Sequence, residues 1–120
     1  MDTVIAMPMH PQRLKERGFN QALEIARLLC AEQAQKLDFD SVQRQKHRPA
    51  QVSLSWQARL KNIKEVFKLQ SASRIAGQRI AILDDVMTTG ASLNELAKTL
   101  KQAGASHVEC WIVARTLARP

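Results

Sequence analysis

The sequence is poor in aromatic residues and in cysteine. Aromatic side chains make up 4% of its 120 residues, and tyrosine is absent. We therefore expect a mainly aliphatic core. We also expect that any binding of nucleic acid does not depend mainly on stacking of bases on aromatic side chains. The two cysteines, Cys30 and Cys110, lie far apart and form no CxxC pair. This arrangement argues against a structural zinc site and gives no support for a disulfide framework.

Long apolar runs and a signal sequence are also missing. No run approaches the roughly 18 residues of a membrane span, and the first residues show neither the basic nor the apolar region of a secretory signal. Hydrophobic residues form 45% of the chain, which is enough for a packed core. We expect one soluble, cytoplasmic domain with no membrane partner, and the length excludes a two-domain enzyme.

Acidic residues are scarce in one part of the chain. The formal net charge is +7, and between residues 41 and 80 nine Lys or Arg residues stand against a single acidic residue, Glu65. The other eighty residues carry nine basic and ten acidic side chains and are almost balanced. Such an excess is typical either of a solvated surface or of an arm that closes on an anion. The charge alone leaves these alternatives open.

Short apolar runs predict the strands of the fold. They lie at Val4–Met7, at Arg79–Leu83, where Asp84 and Asp85 end the run, and at Val108–Ala114. The last of these is almost continuously apolar, which favours a parallel strand that is covered on both faces. The segment Leu37–Val42 alternates between apolar and polar residues and is a further candidate strand.

Helical spacing of apolar residues predicts the helices. One helix is expected from the N-cap Asn20 to about Leu37, and another from a capping box of Ser92 and Glu95 to just before Gly104. Two less regular segments are also assigned: residues 8–19 as a loop, and residues 55–67 as a possible short helix. Strands that alternate with helices predict an α/β fold with an open, mostly parallel sheet and flanking helices.

The segment Ile80–Ser92 is the part of the sequence best suited to chemistry. It joins the end of a predicted strand to the start of a helix, where ligands bind in open α/β sheets. Asp84 and Asp85 are anionic, so they suit the hydroxyls of a sugar or a nearby cation rather than a phosphate. The next residues offer hydroxyls, a glycine and the N–H groups of a helix N-terminus, which suit a phosphate: Thr88, Thr89, Gly90, Ala91 and Ser92. A ribose 5-phosphate meets both requirements.

Three other interpretations of this segment are weaker. A P-loop needs a lysine after its last glycine, and Ala91 follows Gly90 here. A phosphoacceptor receiver domain needs an acidic pair after its first strand, where this chain has Met7 and Pro8. A purely structural role explains the aspartate pair, but not the ordered series of carboxylates, hydroxyls and glycine.

The sequence resembles a known family in three places. Ile80–Ser92 resembles the motif by which type I phosphoribosyltransferases bind 5-phosphoribosyl 1-diphosphate (PRPP), and Met7–Gln21, with its Arg-Gly-Phe-Asn-Gln run, resembles the ComF/GntX family of competence-associated proteins. Between them, residues in the family's order are Arg48, Pro49, Gln51, Leu54, Ser55, Arg59, Asn62 and Phe67, with Ala50 where threonine is expected. The resemblance implies a Rossmann-like type I phosphoribosyltransferase core over residues 1–120.

The resemblance also implies a role for each matching residue. Asp84 and Asp85 would hold the ribose hydroxyls of PRPP, and the segment Thr88–Ser92 would hold the 5-phosphate. The pyrophosphate loop, His10–Gly18, would contribute His10, Arg13 and Arg17. The arm Arg44–Arg59 would be a flexible loop that closes over the site, and it would contribute Arg48, Gln51 and Arg59. The implied cofactor is Mg²⁺, bound mainly through PRPP oxygens with the two aspartates nearby.

The family further implies an activity and its partners. The expected reaction transfers a phosphoribosyl group with release of pyrophosphate, in a protein linked to DNA uptake and competence. The alternative is a non-catalytic module that senses PRPP or a nucleotide and binds single-stranded DNA or competence proteins. Members of the family commonly carry an N-terminal zinc ribbon and a first helix. Because neither is visible in this sequence, we expect a truncated or short member.

Overall fold

A computed structural model describes residues 1–45, 66–87 and 90–115 of the chain. Its main sheet consists of β1 (Thr3–Ala6), β2 (Leu37–Asp38), β5 (Arg79–Met87) and β6 (His107–Arg115). These four strands are all parallel and lie in the order β2-β1-β5-β6. The open parallel sheet that the sequence predicts is therefore confirmed.

Two long helices connect the parallel strands. Helix α2 (Gln21–Glu32) joins β1 to β2, and α3 (Ala91–Gln102) joins β5 to β6. Helix α2 begins after Asn20, as predicted, but ends well before Leu37, because Ala34 adopts a left-handed backbone with φ of 52°. Helix α3 ends before Gly104, as predicted.

The core lies around the two central strands. Val4, Ile80 and Ile82 are completely buried, since β1 and β5 have a hydrogen-bonded neighbour on each side. The apolar stripes of α2 and α3 belong to the same buried cluster, in which Leu96 and Leu100 of α3 also lose all exposure to solvent. Each such aliphatic side chain stabilises the fold by about 1.5–3 kcal/mol. This rigid centre fixes the positions of the strand ends, where the candidate site lies.

A second, smaller sheet stands beside the first. It pairs β3 (Val42–Arg44) with β4 (Phe67–Leu69) in antiparallel fashion, and we call it the ribbon. The predicted strand Leu37–Val42 is therefore divided between two sheets, because the buried Asp38 carboxylate accepts hydrogen bonds from the backbone of Asp40 and Ser41 and forms a turn there. The predicted helix 55–67 lies mostly outside the described residues, and its last residue belongs to β4 instead.

The prediction for the last strand is partly wrong. Strand β6 is parallel, as expected, but it is not covered on both faces: Cys110 is exposed and Val113 is 61% exposed. In the described part of the sheet β6 is the outermost strand. Within the described ranges, no helix is long and apolar enough to cross a membrane.

Candidate functional site

A cleft of about 470 Å³ lies at the carboxyl ends of β1 and β5. Strand β1 ends at Ala6, opposite Leu83, whereas β5 continues for several residues and pairs beyond that point with β6 alone. The side of β5 that β1 no longer covers is therefore open. The lining of the cleft includes three arginines, two aspartates and a serine: Arg13, Arg17, Arg44, Asp84, Asp85 and Ser92.

Asp84 and Asp85 lie on the floor of the cleft and are half-buried. The prediction that β5 ends at this pair is wrong, because pairing with β6 extends the strand to Met87. The Asp85 N–H donates to Oδ1 of Asp84 at 2.9 Å. Burial and the adjacent Asp85 raise the pKa of Asp84 to about 6, while Arg44 acts in the opposite direction. Asp84 therefore holds its proton to a higher pH than an ordinary aspartate.

One wall of the cleft is a short helix that sequence analysis assigned to a loop. Helix α1 (Pro11–Arg17) begins with proline at its first position and ends at Gly18, whose φ of 84° suits glycine. Arg13 and Arg17 lie four residues apart and thus on one face, and both line the cleft. The two arginines predicted for the pyrophosphate are therefore held side by side.

His10, the third residue predicted for the pyrophosphate loop, lies at the start of α1. Its Nδ1 accepts a hydrogen bond from the N–H of Gln12 at 3.0 Å, so the side chain caps the helix. It lines a separate shallow depression with Lys15 and Glu16 rather than the cleft. Direct binding of a ligand by His10 stays a prediction, whereas its capping of α1 is a structural finding.

The predicted phosphate cradle is described from Gly90 onward, since Thr88 and Thr89 lie outside the described residues. Gly90 is the N-cap of α3 with φ of 80°, so the predicted capping box is wrong: Ser92 lies inside the first turn. Among the residues that the structure describes, no side chain caps the helix here. The first turn of α3, with the Ser92 hydroxyl, lies beside the cleft, and a helix N-terminus suits a phosphate.

Two further residues line the cleft: Asn20, to which sequence analysis gave only a capping role, and Arg44, the first residue of the arm that the resemblance assigns to the flexible loop. Asn20 caps α2 by accepting from the N–H of Leu23 at 3.2 Å, and its Nδ2 donates to the carbonyl of Met7 at 3.1 Å. It thereby fixes the start of α2 to the end of β1. Arg44 donates from Nη2 to Oγ of Ser92 at 2.7 Å. The excess of positive charge indicated the arm that begins with Arg44, but the ribbon that places this side chain against α3 could not be predicted.

The remaining predicted residues cannot be placed. The flexible-loop candidates Arg48, Gln51 and Arg59 lie outside the described residues. Among the residues that are described, no group of three or more His, Cys, Asp or Glu side chains could hold a metal ion alone. The oxygens of Asp84 and Asp85 are nevertheless ligands that Mg²⁺ accepts when substrate phosphates complete its coordination. The site thus fits a cation that arrives with a phosphorylated ligand.

Comparison with known proteins agrees with this geometry. A family model for the phosphoribosyl transferase domain matches residues 14–120. Competence protein F of Haemophilus influenzae is 35% identical over 119 residues, which span 95% of this chain and 50% of that protein. DNA utilization protein YhgH of Escherichia coli K12 is 34% identical, over 97% of this chain and 50% of its own. The chain thus spans about half the length of these curated relatives.

A solved structure gives the same fold. The allosteric regulatory enzyme of purine biosynthesis superposes on 99% of this chain and 23% of its own with a TM-score of 0.67, at 16% identity. At that identity the likeness concerns the fold alone. The family model covers most of the chain, including the second half of α1, the aspartate pair and the start of α3. The chain therefore belongs to the phosphoribosyl transferase domain family, and within it resembles the competence protein F-like proteins, as its sequence predicted.

Proposed function

We propose that this chain binds PRPP together with Mg²⁺ and transfers its phosphoribosyl group to an acceptor, with release of pyrophosphate. One observation carries the proposal: a carboxylate pair and an arginine pair line the same cleft, which also contains the hydroxyl of Ser92 at the N-terminus of α3. A sugar that has free hydroxyls and a phosphate at each end can use the carboxylates, the arginines and the N-terminus of α3 at the same time. No single phosphate or nucleobase would use them together.

Each part of the cleft suits one part of the ligand. The carboxylates of Asp84 and Asp85 accept hydrogen bonds from the 2- and 3-hydroxyls of the ribose. The N-terminus of α3, with Ser92, holds the 5-phosphate through backbone N–H groups and a hydroxyl. Arg13 and Arg17 then bind the pyrophosphate, because planar guanidinium groups match the geometry of phosphate oxygens. The ligand therefore lies across the cleft from α3 to α1.

The chemistry follows from the charge that develops at C1 of the ribose. As the bond to pyrophosphate breaks, the ring gains oxocarbenium character, as in glycoside cleavage, and the leaving group gains negative charge. The carboxyl oxygens of Asp84 and Asp85 stabilise the positive charge of the ring, while Arg13 and Arg17 stabilise the departing anion. Mg²⁺, when bound, adds Lewis-acid stabilisation of the pyrophosphate oxygens. The acceptor's electron pair forms the new bond at C1, and the acceptor's proton leaves to solvent.

The experiment that tests this function measures binding and turnover separately. Calorimetry with PRPP and Mg²⁺ should give an affinity that is lost in the double variant Asp84→Asn, Asp85→Asn. A matched control is Asp2→Asn, since Asp2 pairs with Arg79 at the opposite end of the sheet. Unchanged affinity in the double variant would contradict the site. Release of pyrophosphate with a panel of nucleobases then tests transfer, and binding without release in any mixture would favour the PRPP-sensing alternative.

A role in DNA uptake is a separate part of the proposal. It is supported by relatives whose names are competence protein F and DNA utilization protein, and by the concentration of positive charge between residues 41 and 80. Binding to single-stranded DNA would rest on phosphates and would weaken steeply as salt rises. Neutralising Lys46 and Arg48 should flatten that salt dependence. An unchanged slope would show that these residues do not contact DNA.

A further inference from the structure

Arg44 is held in place by the ribbon. It lies directly opposite Phe67 in the antiparallel register of β3 and β4, and its guanidinium carbon stands 5.3 Å from the centre of the Phe67 ring. The ring itself is buried. Stacking on a buried ring restricts the long arginine side chain and leaves its N–H groups directed outward around the edge of the guanidinium.

The end of this side chain meets the first turn of α3. Its Nη2 donates to Oγ of Ser92 at 2.7 Å, a bond that joins residues 48 positions apart in the sequence. Both residues line the cleft. Arg44 is also near enough to Asp84 to lower the pKa of that carboxyl. The arginine therefore links the ribbon to the N-terminus of α3 and brings its charge to both halves of the site.

The chemistry of a hydroxyl gives this contact a consequence. A serine oxygen carries one proton to donate and two lone pairs that accept. Arginine can only donate, so the bond from Arg44 occupies an acceptor position of Ser92 and leaves the hydroxyl proton for another acceptor. The proton must then point away from the guanidinium. A phosphate oxygen at the N-terminus of α3 is an acceptor of the required kind.

We propose that Arg44 is a positioning residue of the phosphate cradle, which orients the Ser92 hydroxyl so that its proton is donated to the phosphate of the ligand. This inference rests on the proposed function, because it assigns the phosphate to the N-terminus of α3. It adds a residue from the ribbon, outside the main sheet. It also predicts that Arg44 contributes to phosphate binding through Ser92. The effects of replacing the two residues on affinity are therefore not independent.

A double-mutant cycle measures this coupling. Ribose 5-phosphate is the probe, because it carries the 5-phosphate without the pyrophosphate, and calorimetry gives its affinity for the wild type, Arg44→Gln, Ser92→Ala and the double variant. Each single change should weaken binding about tenfold, the size expected for loss of one charge-assisted hydrogen bond. The double variant should be no more than about twofold weaker than Ser92→Ala. Independent, multiplying losses would overturn the inference.

Two further variants separate positioning from general effects of charge and folding. Lys68→Gln removes an exposed positive charge from the neighbouring strand of the ribbon and should leave affinity unchanged. Arg44→Lys retains a donor for Ser92 and should recover most of the binding. If Arg44→Gln does not fold, the cycle is repeated with Arg44→Met on a thermally verified sample, and additive losses there overturn the inference equally. Failure of the wild type to bind ribose 5-phosphate would contradict the proposed function itself.

Discussion

The backbone N–H of Asp85 donates to Oδ1 of Asp84 at 2.9 Å, so the backbone itself holds the Asp84 carboxylate in place. Asp84 is half-buried, and burial together with the adjacent Asp85 raises its pKa to about 6. Its ionised form is therefore less stable in the folded protein than in the unfolded chain. Hydroxyl donors or a cation from a ligand would stabilise the ionised form of Asp84. Binding of such a ligand is therefore linked to the stability of the folded protein.

Replacing Asp84 with asparagine should stabilise the protein at pH 7. Asparagine keeps an acceptor for the Asp85 N–H but cannot ionise. The change in the pKa of Asp84 from 3.8 to about 6 sets an upper bound of about 3 kcal/mol. Solvent screens a half-exposed carboxyl, so we expect a gain in the free energy of unfolding of about 1 kcal/mol. Chemical denaturation at several pH values measures it.

The sign of this effect depends on pH. A carboxyl whose pKa is raised by folding contributes stability that is fully present below the unfolded value of 3.8 and is lost as pH rises through about 6. The advantage of Asp84→Asn should therefore be smallest near pH 4 and reach its plateau at about pH 7. The control is Asp2→Asn, because Arg79 lowers the pKa of Asp2. An advantage of Asp84→Asn that grows toward low pH would contradict the assignment.

Affinity for PRPP should fall as the pH is lowered through 6. The ribose hydroxyls and the cation require ionised Asp84, and its protonation removes one acceptor and one charge from the cleft. Calorimetry between pH 5 and 8 measures the loss, which approaches tenfold per pH unit below the pKa. The phosphates of PRPP also titrate near pH 6. Asp84→Asn retains only that second titration, so a pH dependence equal to that of the wild type would contradict the role of Asp84.

The arginine face of α1 should matter for the pyrophosphate and not for the 5-phosphate. Replacing Arg13 or Arg17 with glutamine should weaken PRPP binding about tenfold, since each removes a charge-assisted contact. The affinity for ribose 5-phosphate should stay within about twofold, because this ligand lacks the pyrophosphate. Lys15→Gln is the matched control, as Lys15 has the same charge and lies on the same helix outside the cleft. Equal losses for both ligands would place the arginines elsewhere.

Parts of the main sheet and of the candidate site could be predicted because short stretches of sequence indicate them. Apolar runs identified β1, β5 and β6, and Asn20 identified the start of α2 because its side chain caps the helix within three residues. The ordered residues from Asp84 to Ser92 indicated a site at the end of β5. In each case the signal lies in residues that are near each other in the chain, although the strands themselves pair with distant partners.

Features that depend on distant partners were not predictable. Strand β5 passes Asp84 only because β6 offers further pairing, and Arg44 reaches Ser92 only because the ribbon brings residues 48 positions apart together. Helix α1 is a different case. It has no buried residue and therefore no apolar stripe, so periodicity could not reveal it. Its signals were the proline at its start and the αL glycine at its end.

Gly90 provides a test of the phosphate cradle through backbone geometry. Its φ of 80° lies in the left-handed region, where a β-carbon is unfavourable, and it starts the helix that is assigned to the 5-phosphate. Gly90→Ala should lower the free energy of unfolding by about 1–2 kcal/mol. It should also weaken binding of ribose 5-phosphate at least fivefold, because relief of the strain moves the first N–H groups of α3.

The matched control is Gly77→Ala, which creates the same strain elsewhere. Gly77 has φ of 75°, and a β-carbon placed there meets nothing within 4 Å, so backbone strain is the sole expected cost. It lies just before β5, at the amino end of the sheet, opposite the cleft. Both variants should lose similar stability in denaturation experiments, while Gly77→Ala alone keeps the wild-type affinity. Equal affinities in the two variants would show that the N-terminus of α3 does not hold the phosphate.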